Sequence, residues 1–148
     1  MGIERIAVSA AALAAMRSHA GADYPDECCG GLLGSQNGPG VRVIERAAAV
    51  TNGRNEERTR RYVIGPDEVR TLEREAAAAG LELLGFYHSH PDHPAEPSAF
   101  DRDHAWPWYT YIILPVAAGA PGAARAWRLR EDRAGFTEQQ IEGNEETG

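Results

Sequence analysis

Apolar and polar positions change rhythm several times along the chain, and each change marks an element. Ile3 to Val8 reads as a short strand, and Ser9 is then placed to cap a helix over Ala10 to His19 with Leu13 and Met16 on its inner face. Tyr24-Pro25-Asp26 ends that helix. Cys28 to Leu33 is an apolar run of small residues, the pattern of a buried strand whose glycines let another backbone come close. Gln36 to Gly40 reads as a turn and Val41 to Val50 as the paired strand. Gly53 to Arg61 is dense in charge and turn residues and predicts a mobile surface loop; Tyr62 to Ile64 is a short strand. Pro66 opens a second helix, with Asp67 and Glu68 in its first turn and Gly80 just past its end. Leu81 to Tyr87 is a strand that runs into His88-Ser89-His90, followed by a proline-rich loop and a short helix from Ser98. Trp108 to Val116 and Ala124 to Arg130 read as two strands joined by a Gly/Pro turn, and the residues after Glu138 as a polar, acidic, frayed tail.

These elements predict an α/β fold in one domain over residues 1–137, with a flexible tail over 138–148. Helices and strands alternate, yet several strand pairs are joined by short turns. The expected arrangement is therefore α-β-α, a mixed central sheet flanked by helices.

Composition narrows the function classes. A chain of 148 residues is the size of one ordinary domain and buries enough apolar surface to need no staples. The formal net charge of −7 argues against nucleic acid or an anionic membrane as the main partner. All fifteen basic residues are Arg, so there is no side-chain amine for isopeptide tagging or Schiff-base chemistry. The two cysteines, Cys28 and Cys29, are adjacent, close no useful loop and fit disulfide geometry badly. Glu4 beside Arg5 removes the positive n-region of a signal peptide, and no stretch reaches the ~18 apolar residues of a membrane span. The expected location is the cytoplasm; the oligomeric state is left open.

The chemistry centres on four stretches. His88 and His90 are two apart on a strand and point to one face, where two imidazoles can converge on one ion or simply hydrogen-bond within a half-buried strand. Ser98-Ala99-Phe100-Asp101 has the pattern of a helix capping box, and a helix start is also a rigid platform for a ligand. Three prolines between them, in Pro91 to Pro97, restrict the loop that would hold Asp101 opposite the histidines. Together His88, His90 and Asp101 make a nitrogen-and-carboxylate set suited to zinc, with a fourth position left for water. Glu27 is the candidate base, or else one of two solvated acids in the pair Asp26-Glu27. His93, His104 and Cys29 read as surface or core residues, and Trp106, Trp108 and Trp127 as core or edge packing.

Glu27, His88-Ser89-His90-Pro91, and Ser98 separated by two residues from Asp101 closely resemble the JAMM motif of the Mov34/MPN/PAD-1 metallopeptidases. Asp26 to Gly34 resembles that family's Glu-bearing strand, and Tyr62-Val63-Ile64 with Pro66-Asp67-Glu68 resembles the lead into its central helix. The resemblance implies one Zn2+ per chain on His88, His90 and Asp101, with Glu27 as general acid/base and Ser98 as oxyanion donor. It also implies a fold similar to that of cytidine deaminases. The substrate it implies is a ubiquitin-like or sulfur-carrier protein, cleaved after a Gly-Gly tail that adds as a strand beside the active-site sheet. Two other readings compete. A non-catalytic MPN scaffold or interaction subunit is opposed by the presence of all five motif residues. A zinc deaminase would need His-x-Glu with Pro-Cys-x-x-Cys, whereas position 90 is His and the cysteines are adjacent and upstream.

Overall fold

The structure is a computed structural model describing residues 5–36, 41–50 and 64–143. In chain order the elements are β1 (Arg5–Val8), α1 (Ala10–Asp23), β2 (Cys29–Gln36), β3 (Val41–Val50), α2 (Pro66–Ala78), β4 (Glu82–Pro91), α3 (Ala99–His104), β5 (Thr110–Ala117), β6 (Ala120–Pro121), β7 (Arg125–Leu129) and β8 (Phe136–Gly143).

Local chemistry explains the helices. Ser9 caps α1, its hydroxyl accepting from the Ala12 N–H at 3.0 Å, a bond worth about 1 kcal/mol. Ala12, Leu13, Met16 and Ala20 then bury one face. Pro66 and the acids Asp67 and Glu68 start α2, and Glu68 turns back to accept from the Gly65 N–H at 3.0 Å. Gly80, just past the helix end, takes φ +74, a conformation that a side chain would strain.

The strands form one mixed sheet in the order β4-β2-β3-β1-β8-β7-β5-β6. β1 pairs parallel with β3 and β8, and β4 parallel with β5; the other pairs are antiparallel. The pairing of β4 with β5 joins the two flanks, so the sheet curls on itself and β6 is a short appendage on β5. One face packs against α1 through Leu32, Ile44, Leu84, Tyr87, Ile112 and Leu114. The opposite face packs against α2 through Leu33, Leu83, Phe86 and Tyr111. The glycines of β2 serve close approach as expected: a Cβ on Gly30 would strike the Tyr87 ring and the Ala48 carbonyl.

A register shift on β4 sets the stage for the site. Leu32 pairs with Gly85 and Leu33 with Leu83, leaving Leu84 as an extra residue. A bulge reverses the side-chain phase of the strand. Leu83 and Phe86 therefore share the α2 face, Leu84 and Tyr87 the α1 face. Continuing the alternation, His88 and His90 follow Phe86 to the α2 side, and Ser89 follows Tyr87.

Three expectations need correction. Residues 138–143 are not a frayed tail: β8 lies between β1 and β7, with Gln140 opposite Arg5 and Gln139 opposite Ala126. Backbone pairing on both sides holds it without an apolar sequence, and Gln139 is 3% exposed. β5 starts at Thr110 rather than at Trp108, which sits at φ 92; of the two placements expected for them, Trp106 and Trp108 take the edge, 54% and 41% exposed with their rings against Tyr109. A two-residue strand, β6, interrupts the connection that was expected to be only a turn. The expected loop over 53–61, residues 62 and 63 of the expected strand, residues 37–40 of the turn and the last five residues lie outside the described residues; Ile64 is described and is not in a strand. No helix among the described residues is long and apolar enough to cross a membrane.

Candidate metal centre

β4 and α3 bring His88, His90 and Asp101 together. All three are buried, and one ligand atom from each lies within 4.8 Å of the others. His88 Nε2 is 3.2 Å from His90 Nε2 and 3.3 Å from Asp101 Oδ1, and His90 Nε2 is 3.2 Å from Asp101 Oδ2. A tetrahedral ion with bonds of about 2.0–2.1 Å has edges of about 3.3–3.4 Å, so the spacings from each histidine to its partner oxygen and to the other histidine are of the size that one small metal ion requires.

The hydrogen bonds determine which way each donor faces. His90 Nδ1 is 2.8 Å from the Pro94 carbonyl, which can only accept, so Nδ1 carries the proton and donates it. In the neutral ring the Nε2 lone pair then faces the Asp101 carboxylate. Two acceptors at 3.2 Å repel unless a cation, proton or metal, lies between them. His90 is accordingly raised from its ordinary value: burial opposes the charge, but the hydrogen bond and charge of Asp101, the Pro94 carbonyl and the charge of Glu27 outweigh it. Burial lowers His88, against the pull of Asp101, which keeps it neutral and competent as a ligand. Asp101 lies well below the usual carboxylate range; burial works against its ionisation, and the facing His88 and His90 with the Ser98 N–H overcome it. A neutral nitrogen pair and an ionised carboxylate are a donor set that fits zinc.

The capping box exists and also orients the carboxylate. Asp101 N–H donates to Ser98 Oγ at 3.0 Å, and Ser98 N–H donates to Asp101 Oδ2 at 2.9 Å. Because Ser98 Oγ acts only as an acceptor in this cap, its own proton stays available for another partner. The proline loop is tied down along its length: Trp127 Nε1 donates to the Ala95 carbonyl at 3.0 Å, and Arg125 reaches Glu96 at 3.4 Å.

Glu27 is 4% exposed and not a solvated acid. It precedes β2 and lines, with His90, Ser98 and Phe100, a groove of about 460 Å³. The structure thus places the base candidate, one histidine and the serine on one open cleft. His93 also lines it as an exposed rim residue. His104 does not join the cluster; its Nδ1 donates to the Phe100 carbonyl at 2.9 Å. Cys28 and Cys29 are fully buried free thiols, and burial pushes both up to about 12, which makes them poor nucleophiles.

Sequence reasoning passed over Ser89. It is fully buried, its hydroxyl accepts from the Cys28 N–H at 2.8 Å, and its own N–H donates to the Cys28 carbonyl at 3.1 Å. The available signal was a polar residue between two same-face histidines, whose side chain must turn toward an apolar core and find a partner there.

The curled mixed sheet, with two histidines on one strand and an aspartate at the start of a following helix, defines a JAB/MPN-type α/β domain. The chain belongs to the family described as prokaryotic homologs of the JAB domain, which it matches over residues 9–130. A relative named desampylase, from Haloferax volcanii, is 36% identical over 118 residues, covering 76% of this chain and 82% of that protein. The solution structure of a Desulfitobacterium hafniense protein matches at a TM-score of 0.81 and 28% identity, over 93% of this chain and 92% of that one. A JAB1/MPN domain protein of Archaeoglobus fulgidus shares the fold at a TM-score of 0.53 and 20% identity, over 90% of this chain and 96% of that one.

Proposed function

We propose that this protein is a zinc-dependent peptidase or isopeptidase that hydrolyses the amide bond following the C-terminal tail of a ubiquitin-like or sulfur-carrier protein. The observation that carries the reading is the buried His88–His90–Asp101 triangle, in which a histidine lone pair faces a carboxylate across the space of one cation. His88, His90 and Asp101 would hold one zinc ion per chain. Bound there, zinc would supply a Lewis acid that lowers the pKa of water to about 7.

The chain's own residues do the rest. Glu27, on the same groove as His90, takes the proton of the attacking water and delivers it to the departing amine. Ser98 donates its free hydroxyl proton to the oxyanion that forms on the substrate carbonyl, a role worth ~2.7–4 kcal/mol where such donors have been removed. Asp101, held by the capping box, keeps its carboxylate turned toward the histidines. With two neutral imidazoles and one carboxylate, the loaded site carries a net charge of about +1, which favours anion development at the carbonyl.

The substrate class is supported by the family and by the relative that carries the name desampylase. A ubiquitin-like or sulfur-carrier tail ending in Gly-Gly suits a narrow, buried centre reached from an open groove. The two free, buried cysteines suit a reducing compartment such as the cytoplasm. The test is cleavage of a ubiquitin-like protein conjugate by the zinc-loaded chain. Release of the carrier, lost on chelation and in Glu27→Gln, is expected. Equal activity of Glu27→Gln, or freshly purified protein without stoichiometric zinc, overturns the reading, and the second result points instead to a scaffold.

A further inference from the structure

Glu27 sits in no regular element. It lies in the stretch between α1, which ends at Asp23, and β2, which begins at Cys29. A base must be held to a fraction of an ångström, so something outside helix and sheet has to fix this stretch.

Two side-chain hydrogen bonds bracket Glu27, and both run to β4 or to the residue directly after it. One residue after Glu27, the Cys28 N–H donates to Ser89 Oγ at 2.8 Å. Three residues before it, the Tyr24 hydroxyl donates to Asp92 Oδ2 at 2.6 Å. Ser89 is fully buried between His88 and His90. Asp92 is anchored in turn: its N–H donates to the Val116 carbonyl at 2.7 Å, and its Oδ1 accepts from the Ala118 N–H at 2.8 Å. It takes φ 58, in the left-handed region that Asp tolerates better than most residues. The segment carrying the base and the strand carrying the two histidines are therefore one frame, joined on both sides of Glu27.

Resting on the proposed hydrolase reading, we propose that Tyr24 and Ser89 are positioning residues that hold Glu27 in register with the His88–His90 strand. Neither touches the reacting atoms. Both act through Glu27 by keeping its carboxylate at the place where the water's proton leaves.

The cleaner probe is Tyr24→Phe, because Tyr24 is only half-buried while Ser89→Ala strips an acceptor from a buried N–H and can destabilise the fold by itself. Tyr24→Phe, Glu27→Gln and the double variant are prepared as zinc-loaded full chains and assayed on the aminocoumarin amide of a ubiquitin-like protein ending in Gly-Gly. Tyr24→Phe is expected to lower kcat about three- to ten-fold, the rate equivalent of one ordinary hydrogen bond, with KM and zinc content unchanged. In the Glu27→Gln background, read from its slow residual turnover at high enzyme concentration, the same change is expected to cost nothing further, because the residue it acts through is already disabled. Equal losses in both backgrounds, or lost zinc, overturn the inference, since the effect then runs through the general fold or the metal ligands. Failure of the wild-type chain to cleave the probe counts against the proposed function, and the inference is then decided by hydrogen exchange. Faster exchange across 24–28 in Tyr24→Phe, with β3 and α2 unchanged, supports the clamp; unchanged exchange there refutes it.

Discussion

Replacing Ser98 separates the helix cap that its hydroxyl forms from the oxyanion role proposed for the same hydroxyl. Its oxygen caps α3 by accepting from the Asp101 N–H at 3.0 Å, and in the proposed mechanism its proton goes to the oxyanion. Ser98→Ala removes both functions. The lost cap costs ~1 kcal/mol, and for a chain of this size that lowers Tm by about 2–4 °C. The lost donor costs ~2.7–4 kcal/mol of transition-state stabilisation, a fall in kcat of about 10²–10³. The two are distinguished by Ser98→Gly, because glycine is tolerated at an N-cap for only a few tenths of a kcal/mol yet has no hydroxyl. The assay compares Tm, zinc per chain and kcat for wild type, Ser98→Ala, Ser98→Gly and Ser98→Thr. Ser98→Gly is expected to melt almost as the wild type does, keep its zinc and lose as much kcat as Ser98→Ala; Ser98→Thr is expected to recover most of the rate. If Ser98→Gly retains its zinc and loses less than about five-fold in kcat, the serine is a cap and no more, and the oxyanion assignment fails.

Other expectations follow from the same geometry. In the metal-free protein His90 is raised above its ordinary 6.5, so protons compete with zinc from above that pH downward. Zinc affinity, read by competition with a fluorescent chelator, is expected to fall about ten-fold per pH unit below the raised value; an affinity flat from pH 8 to 5.5 contradicts this. Cys28 and Cys29, fully buried and pushed up to about 12, are expected to react with Ellman's reagent only after unfolding; rapid native labelling contradicts their placement. Deleting residues 138–148 removes most of β8, which lies between β1 and β7, and is expected to abolish the cooperative melt seen by circular dichroism. An unchanged Tm after that deletion restores the view of this segment as a tail.

What the sequence revealed depended on whether a feature is local. β3 spans Val41–Val50 as the alternation predicts, and α2 starts at Pro66 with its acids in place, because turn residues, proline and caps act over a few positions. β8 was invisible: its partners are the backbones of β1 and β7, and a strand reading Phe-Thr-Glu-Gln-Gln-Ile-Glu-Gly carries no apolar alternation that announces it. The bulge at Leu84 was equally hidden, although it decides which face receives His88 and His90. The motif spacing placed five residues as candidates. That Glu27 is buried rather than solvated was not legible, because burial is set by long-range packing, and the stretch that carries it is tied to partners as distant as Asp92, 68 positions from Tyr24. The exposed Trp106 and Trp108 show the converse, since a propensity for the interior does not compel burial when the turn before β5 directs the rings outward.

The most direct test of the central claim is one cleavage experiment run on a single preparation in three states. The protein as purified, the same protein stripped with chelator, and the stripped protein given back one equivalent of zinc are each offered a ubiquitin-like protein linked through its C-terminal Gly-Gly tail to an amine. A metal centre on His88, His90 and Asp101 predicts cleavage, its loss, and its return, with no return in Asp101→Asn. Cleavage that survives stripping, or that zinc restores equally in Asp101→Asn, contradicts the assignment of these three residues as the centre of the reaction.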